Sequence, residues 1–189
     1  MYIIVQPAIF LDRDDTLTID VGYTYKVSDF VWKTGVLDGL KLFMNAKLPL
    51  FIVTNQGGIA RQLFTEADMH DFHQHLQCEA AKFGVHFQDI AFCAHHPLAP
   101  DPSLPHGCNC RKPEAGMLLT LADKWQIDLS TSVMIGDRDS DLEAGQKAGC
   151  FAYYDAAPDD NRPTLKEQAA YILKTHFPDR LDGPDWLDE

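Results

Sequence analysis

Three short apolar runs constrain this chain more than any other feature of it. Ala8-Ile9-Phe10-Leu11, Pro49-Leu50-Phe51-Ile52-Val53 and Ser132-Val133-Met134-Ile135 each have the length of a buried strand. Each stops abruptly at polar sequence: at Asp12, at Thr54-Asn55-Gln56-Gly57-Gly58 and at Gly136-Asp137. Helical patterns lie between them. Thr65 reads as an N-cap, followed by an apolar stripe at Met69, Phe72, Leu76, Ala80 and Phe83. Pro113 suits the first turn of a helix carried by Met117, Leu118, Leu121 and Trp125. A further helix is expected from Asp141 to Ala148, ending at Gly149. Strands alternating with helices imply an α/β fold, a doubly wound (Rossmann-like) parallel sheet with helices on both faces. Ligands of such sheets bind beyond the carboxyl ends of the strands. Asp12, Thr54 and Asp137 are therefore expected to converge.

The 189 residues fit a single domain, with a core over about 7–155 and a C-terminal extension, 156–189. Within that extension Ala169-Ala170-Tyr171-Ile172-Leu173 reads as a last edge element, and Asp179 to Glu189 as a loose acidic tail. Residues 97–107 carry four prolines and read as an irregular loop. No stretch approaches the roughly 20 apolar residues that span a bilayer, and the N-terminus lacks the pattern of a signal peptide. A cytoplasmic address follows by default, and a monomer is expected. The net charge of −12 argues against nucleic-acid or anionic-membrane partners, which call for a basic surface.

Asp12-Arg13-Asp14 leaves the first strand with two carboxylates at i and i+2, which can reach one site from different backbone positions. Phosphoryl transfer needs a nucleophile, a metal to neutralise phosphate oxygens, and a group to protonate the leaving oxygen. A first carboxylate can be the nucleophile and the second the general acid and base. Thr54 offers a hydroxyl to a phosphate oxygen, and Lys112 a point charge. Asp137 and Asp141, in Gly136-Asp137-Arg138-Asp139-Ser140-Asp141, offer carboxylates to Mg2+. Each piece has an ordinary structural reading: an acidic helix start, a turn, a solvated lysine. The ordered set, each member at a strand end or helix start, is harder to dismiss.

Cys93-Ala94-His95 is followed, after twelve residues, by Cys108-Asn109-Cys110. Three thiols and an imidazole make a tetrahedral Zn2+ set with no open position, hence structural. His95 is favoured over its neighbour His96 by spacing. Lys112 follows Cys110 closely enough for the metal to help place it.

These motifs, in this order over residues 7–155, resemble the haloacid dehalogenase superfamily of phosphatases. The resemblance implies that Asp12 becomes an aspartyl-phosphate and Asp14 is the acid and base. Thr54 and Lys112 match the second and third motifs, and Asp137 with Asp141 the fourth. It implies Mg2+ on Asp12, on the Asp14 carbonyl and on Asp137. Asp15 departs from the pattern, which often has Gly there; its Cβ and charge are expected to crowd a phosphate. The Zn loop running into Cys110-Arg111-Lys112-Pro113 narrows the match to two groups. One comprises D-glycero-D-manno-heptose 1,7-bisphosphate 7-phosphatases, the other histidinol-phosphate phosphatases. Gly22-Tyr23, the run Val53 to Arg61, His95-His96-Pro97 and Glu114-Ala115-Gly116-Met117 favour the heptose group, while Arg138 resembles the histidinol group. The resemblance implies substrate contacts at Asp15, Asp20, Tyr23, Asn55, Gln56, Arg111 and Arg138; Arg61 reads as a solvated charge. No separate cap domain is expected, because the spacings between motifs hold only short insertions. The expected partner is thus a small sugar bisphosphate. A polynucleotide end phosphatase fits the charge poorly, and a non-catalytic sugar-phosphate-binding protein is the rival outside enzymes.

Overall fold

Ile9–Leu11 (β1) lies at the centre of a five-stranded parallel sheet, flanked by Leu50–Asn55 (β2) and Val133–Gly136 (β4). Phe87–Cys93 (β3) and Phe151–Tyr154 (β5) form the edges, giving the order β3-β2-β1-β4-β5. The computed structural model describes residues 5–99, 107–155 and 163–181.

Strand period 2 explains how the sheet is covered. Ile9, Leu11, Leu50, Ile52, Val133 and Ile135 point to one face. There they pack on Val36–Asn45 (α1), Glu66–Ala81 (α2) and Leu165–His176 (α5), through Leu40, Phe43, Phe72, Leu76, Ile172 and Leu173. Ala8, Phe10, Phe51, Val53 and Met134 point to the other face. There they meet Gly116–Trp125 (α3) and Asp139–Ala148 (α4) through Met117, Leu118, Leu121 and Ala144. Phe10 and Phe51 stack with centroids 5.4 Å apart. Each such side chain, fully buried, contributes roughly 1.5–3 kcal/mol. The doubly wound expectation holds. Among the described residues, the stretch between β1 and β2 holds loops, one short 3-10 turn and α1, and that between β2 and β3 holds loops and α2, with no cap domain.

Several local expectations need correction. Ala169 to Leu173 is not an edge element; it lies inside α5. Leu165, Ala169, Ile172 and Leu173 form a helical stripe, started by a Thr164/Glu167 capping box. The hydrophobic core therefore reaches Phe177, beyond residue 155. Arg180 also ties the segment back, donating to the Ala46 and Lys47 carbonyls at 3.0 Å each. Most of the expected acidic tail, from 182 on, lies outside the described residues, as do 100–106 of the proline-rich loop. Phe83 falls past the end of α2 and is exposed. Pro113 precedes α3, which begins at Gly116. Thr65 does cap α2, in a reciprocal box with Asp68.

The chain winds outward from β1 in both directions, so the topological switch point lies between β1 and β4. Asp12 and Asp137 follow those two strands directly, and Thr54 is the last residue but one of the neighbouring β2.

Candidate active site

The end of β1 is fastened to β4 by a hydrogen bond from Asp12 N to Ile135 O, 2.9 Å. Asp12 Oδ1 meets Lys112 Nζ at 2.5 Å. The same ammonium reaches Asp141 Oδ1 at 2.6 Å and donates to Val53 O at 2.6 Å. Its three hydrogens thus have three acceptors. Burial opposes the charge on Lys112, yet Asp12 and Asp141 outweigh it and hold its pKa above the ordinary value. Burial pushes Asp12 up to about 7 against the pull of Lys112, and the Asp141 and Asp14 carboxylates add to the rise. Gly136 permits this closeness: a Cβ there would stand 2.3 Å from Asp141 Cβ. Asn55 grips the Lys112 backbone at both ends, accepting from Lys112 N and donating to Lys112 O, each at 3.0 Å.

Asp14 faces a different set of groups. Arg13, 1 % exposed, donates through Nε to Asp14 Oδ1 at 2.9 Å and through Nη2 to Oδ2 at 3.0 Å. Gln56 Nε2 donates to Asp14 Oδ2 at 3.0 Å and to Thr54 Oγ1 at 2.8 Å. The expected substrate contacts Asn55 and Gln56 therefore line the cavity while fastening Lys112 and Asp14. Thr54 itself is fully buried.

A cavity of about 440 Å³ opens above these groups, within the usual size for a small-molecule site. Asp12, Asp14, Asp20, Tyr23, Arg111, Lys112 and Arg138 line it, joined by His96, which sequence reasoning weighed only as a metal ligand. Asp15 is a correction. It does not line the cavity; its Oδ1 accepts from Asp20 N at 2.9 Å. Asp20 Oδ1 in turn accepts from Gly22 N at 3.0 Å and from the Thr24 hydroxyl at 2.7 Å, shaping the loop that presents Tyr23. Arg61, expected to be merely solvated, bonds the Tyr23 hydroxyl and lies over its ring. Gly57 and Gly58 admit this wall, since a Cβ at either would clash with His96 or with Phe64 and Tyr23.

Two clusters are suited to metals. Oxygens of Asp12, Asp137 and Asp141 lie within 4.8 Å of one another, an all-oxygen set that suits a hard cation such as Mg2+. Asp137 Oδ1 is buried with no hydrogen-bond partner, which a cation would supply. Burial, eased by Arg138, raises the Asp137 pKa. The Asp14 carboxylate is outside this trio, so its expected part in binding metal falls to its backbone carbonyl alone. In the second cluster Cys93 Sγ lies 2.9 Å from Cys110 Sγ and 3.6 Å from Cys108 Sγ, and His95 Nδ1 lies 3.3 Å from Cys110 Sγ. The four ligand atoms all lie within 4.8 Å of one another, a thiol and imidazole set of the kind that holds Zn2+, and His95 rather than His96 is the imidazole in it.

Residues 109–154 match the HAD-hydrolase-like family model. The chain is also 39% identical over 142 residues to D-glycero-beta-D-manno-heptose-1,7-bisphosphate 7-phosphatase of Escherichia coli (strain K12), across 75% of this chain and 74% of that protein. The chain belongs to the haloacid dehalogenase family of phosphatases. A second relative at 39%, D-glycero-alpha-D-manno-heptose-1,7-bisphosphate 7-phosphatase of Campylobacter jejuni, is matched over 75% of this chain and 77% of its own. The solved D,D-heptose 1.7-bisphosphate phosphatase from B. bronchiseptica, complexed with magnesium and phosphate, superimposes with a TM-score of 0.76 at 27% identity, over 89% of this chain and 99% of that one. As a haloacid dehalogenase phosphatase the protein is a phosphoric monoester hydrolase, with Mg2+ as cofactor and a Cys-His cluster fit for Zn2+. Among the described residues no helix is long and apolar enough to cross a membrane.

Proposed function

We propose that this phosphatase removes the 7-phosphate of D-glycero-D-manno-heptose 1,7-bisphosphate through an aspartyl-phosphate on Asp12. One observation carries the reading. A single cavity joins the Asp12–Lys112–Asp141 array to two further cations, Arg111 and Arg138, so a substrate with two phosphates finds two positive subsites in an acidic protein. The names of the relatives support the same sugar. In the first step Asp12 Oδ attacks phosphorus while the bond from phosphorus to the sugar oxygen breaks, and Asp14 gives that oxygen its proton. In the second, Asp14 takes a proton from water as the water oxygen attacks phosphorus, releasing inorganic phosphate and restoring the Asp12 carboxylate. Lys112 and the Thr54 hydroxyl bind the phosphoryl oxygens. Gln56 donates to Thr54 Oγ1, which leaves the Thr54 O–H to donate in turn. Asp12, Asp137 and the Asp14 carbonyl would hold Mg2+, which would supply the positive charge that phosphate needs among four lining carboxylates and three lining cations. Asp20, Tyr23, Arg111 and Arg138 hold the sugar and its second phosphate. Residues 1–189 act as one phosphatase domain, a cytoplasmic monomer in which the described C-terminal helix belongs to the core.

The test is phosphate release from both heptose bisphosphate anomers and from histidinol phosphate, with and without Mg2+. The expected result is Mg2+-dependent turnover with the highest kcat/KM on a heptose bisphosphate, abolished in Asp12→Asn with the fold intact. A preference for histidinol phosphate would overturn the substrate, and wild-type turnover in Asp12→Asn the nucleophile.

A further inference from the structure

We infer that His73 is a positioning residue of the reaction, acting on Asp14 through the buried guanidinium of Arg13; this rests on Asp14 being the acid and base. His73 sits on α2, on the core side of the helix, and is 3 % exposed. Its Nε2 lies 3.0 Å from Arg13 Nη1. Arginine only donates, so the imidazole accepts on Nε2 and carries its proton on Nδ1. Burial, reinforced by the adjacent Arg13 charge, lowers the His73 pKa to about 3, so the acceptor is neutral at any working pH.

The guanidinium is held on every side. Its Nη2 donates to Thr24 O at 2.7 Å, and its carbon lies 4.7 Å over the Phe72 ring, the residue next to His73. Its Nε and Nη2 edge carries Asp14. A planar fork held by His73, Thr24 O and the Phe72 ring presents the edge that carries Asp14 in one direction only. Without His73 the fork loses the contact that fixes its rotation, and Nη1 is left buried without an acceptor. Asp14 then loses alignment with the leaving oxygen, while the phosphate-binding groups Lys112 and Thr54 keep theirs.

The experiment compares His73→Leu, His73→Gln and His73→Asn with wild type on two substrates: an alkyl phosphate (the heptose bisphosphate) and p-nitrophenyl phosphate, whose leaving group needs little protonation. Glutamine places an amide oxygen near the position of Nε2; asparagine is one methylene short. For His73→Leu and His73→Asn the expected loss in kcat/KM on the alkyl phosphate is on the order of tenfold to a hundredfold. The loss on the aryl phosphate is expected to be several times smaller, and His73→Gln is expected to recover most of the activity. Equal losses on both substrates, no loss, or no recovery with glutamine would overturn the assignment. Should His73→Leu fail to fold, the asparagine and glutamine pair carries the comparison. Asp14→Asn separates the two readings. If it retains alkyl phosphate turnover, the acid and base assignment falls; if it is inactive while the His73 variants match wild type, only the present inference does.

Discussion

At Asp15 the backbone takes φ of +56°, the left-handed region that glycine adopts freely and that costs other residues about 1 kcal/mol or more. Aspartate is among the tolerated exceptions because its short side chain bonds locally, here to Asp20 N. The position is pinned by the bond from Asp15 N to Thr18 O, 2.7 Å, and by Lys33 Nζ on Asp15 O, 2.5 Å. Its carboxylate therefore serves the substrate loop and not the cavity. Asp15→Gly is expected to keep kcat/KM within about threefold of wild type, under 1 kcal/mol in the barrier. Steady-state kinetics check this, and a large gain would mean that the carboxylate does crowd the phosphate. Asn55→Ala is expected to act in the opposite way. It removes both bonds to the Lys112 backbone, roughly 1 kcal/mol each. It should lower kcat about tenfold with little change in the affinity for Mg2+, measured by cation titration of the rate. The groups whose chemistry is set by type, such as Asp12 and Asp137, were legible from the strand ends, and Lys112 from its place beside Cys110 and Pro113. Asn55, Gln56 and Asp15 were legible as members of the site but not in their work. An amide or carboxylate bonds what the fold puts beside it, and spacing does not reveal whether that is substrate or a neighbouring side chain.

Among the elements, the central strands were readable as unbroken apolar runs, α2 and α3 by their helical stripes, and α4 by its glycine stop at Gly149. β3 was not: Gln88 and Asp89 interrupt its apolar run, as befits an edge strand half open to solvent. β5 has only four residues and leans on α5 through Gln168 Nε2 and Tyr154 O. In α5 the run Ala169 to Leu173 imitates a strand, and only the wider stripe from Leu165 shows the helical period. α2 carries a testable consequence of its own packing. His73 has a folded pKa of about 3, below the ordinary 6.5, so the unfolded chain binds a proton that the native chain does not. Stability from this source is present above pH 6.5 and is lost as pH falls from there toward 3, by up to about 1.4 kcal/mol per pH unit. Asp12 has the opposite sign. Its raised pKa lets the metal-free native state keep a proton that the unfolded chain loses between about 3.8 and 7. The two oppose each other in wild type, so the variant isolates His73. Urea midpoints at pH 7.5 and pH 5 are expected to fall less in His73→Gln than in wild type, and an identical fall would exclude His73 as the source.

For the whole molecule, the parallel sheet brings Asp12, Thr54 and Asp137 to the switch point, but no strand carries Lys112. It stands in the irregular segment between β3 and α3, anchored by few backbone bonds: Gln56 N to Cys93 O at 2.7 Å and Gly116 N to Asn109 O at 2.9 Å among them. The thiol and imidazole cluster supplies what secondary structure does not. Cys93 ends β3 beside β2, and Cys110 lies two residues before Lys112. A metal joining them would fix the segment to the sheet, and Arg111 Nη1 on His95 O, 3.0 Å, adds a polar tie across the same loop. Zn2+ held there would therefore bear on turnover without touching substrate. Cys110→Ser, or exhaustive chelation, is expected to remove one Zn2+ per chain and to lower the melting temperature by several degrees. The rate at saturating Mg2+ should fall at least tenfold as Lys112 loses its fixed position. Metal analysis, thermal melts and kinetics on the same preparations check the three together. Readdition of Zn2+ to the chelated protein should restore rate and melting temperature in step. A zinc-free protein that turns over at the wild-type rate would instead mean that Asn55 and the two carboxylates hold Lys112 unaided.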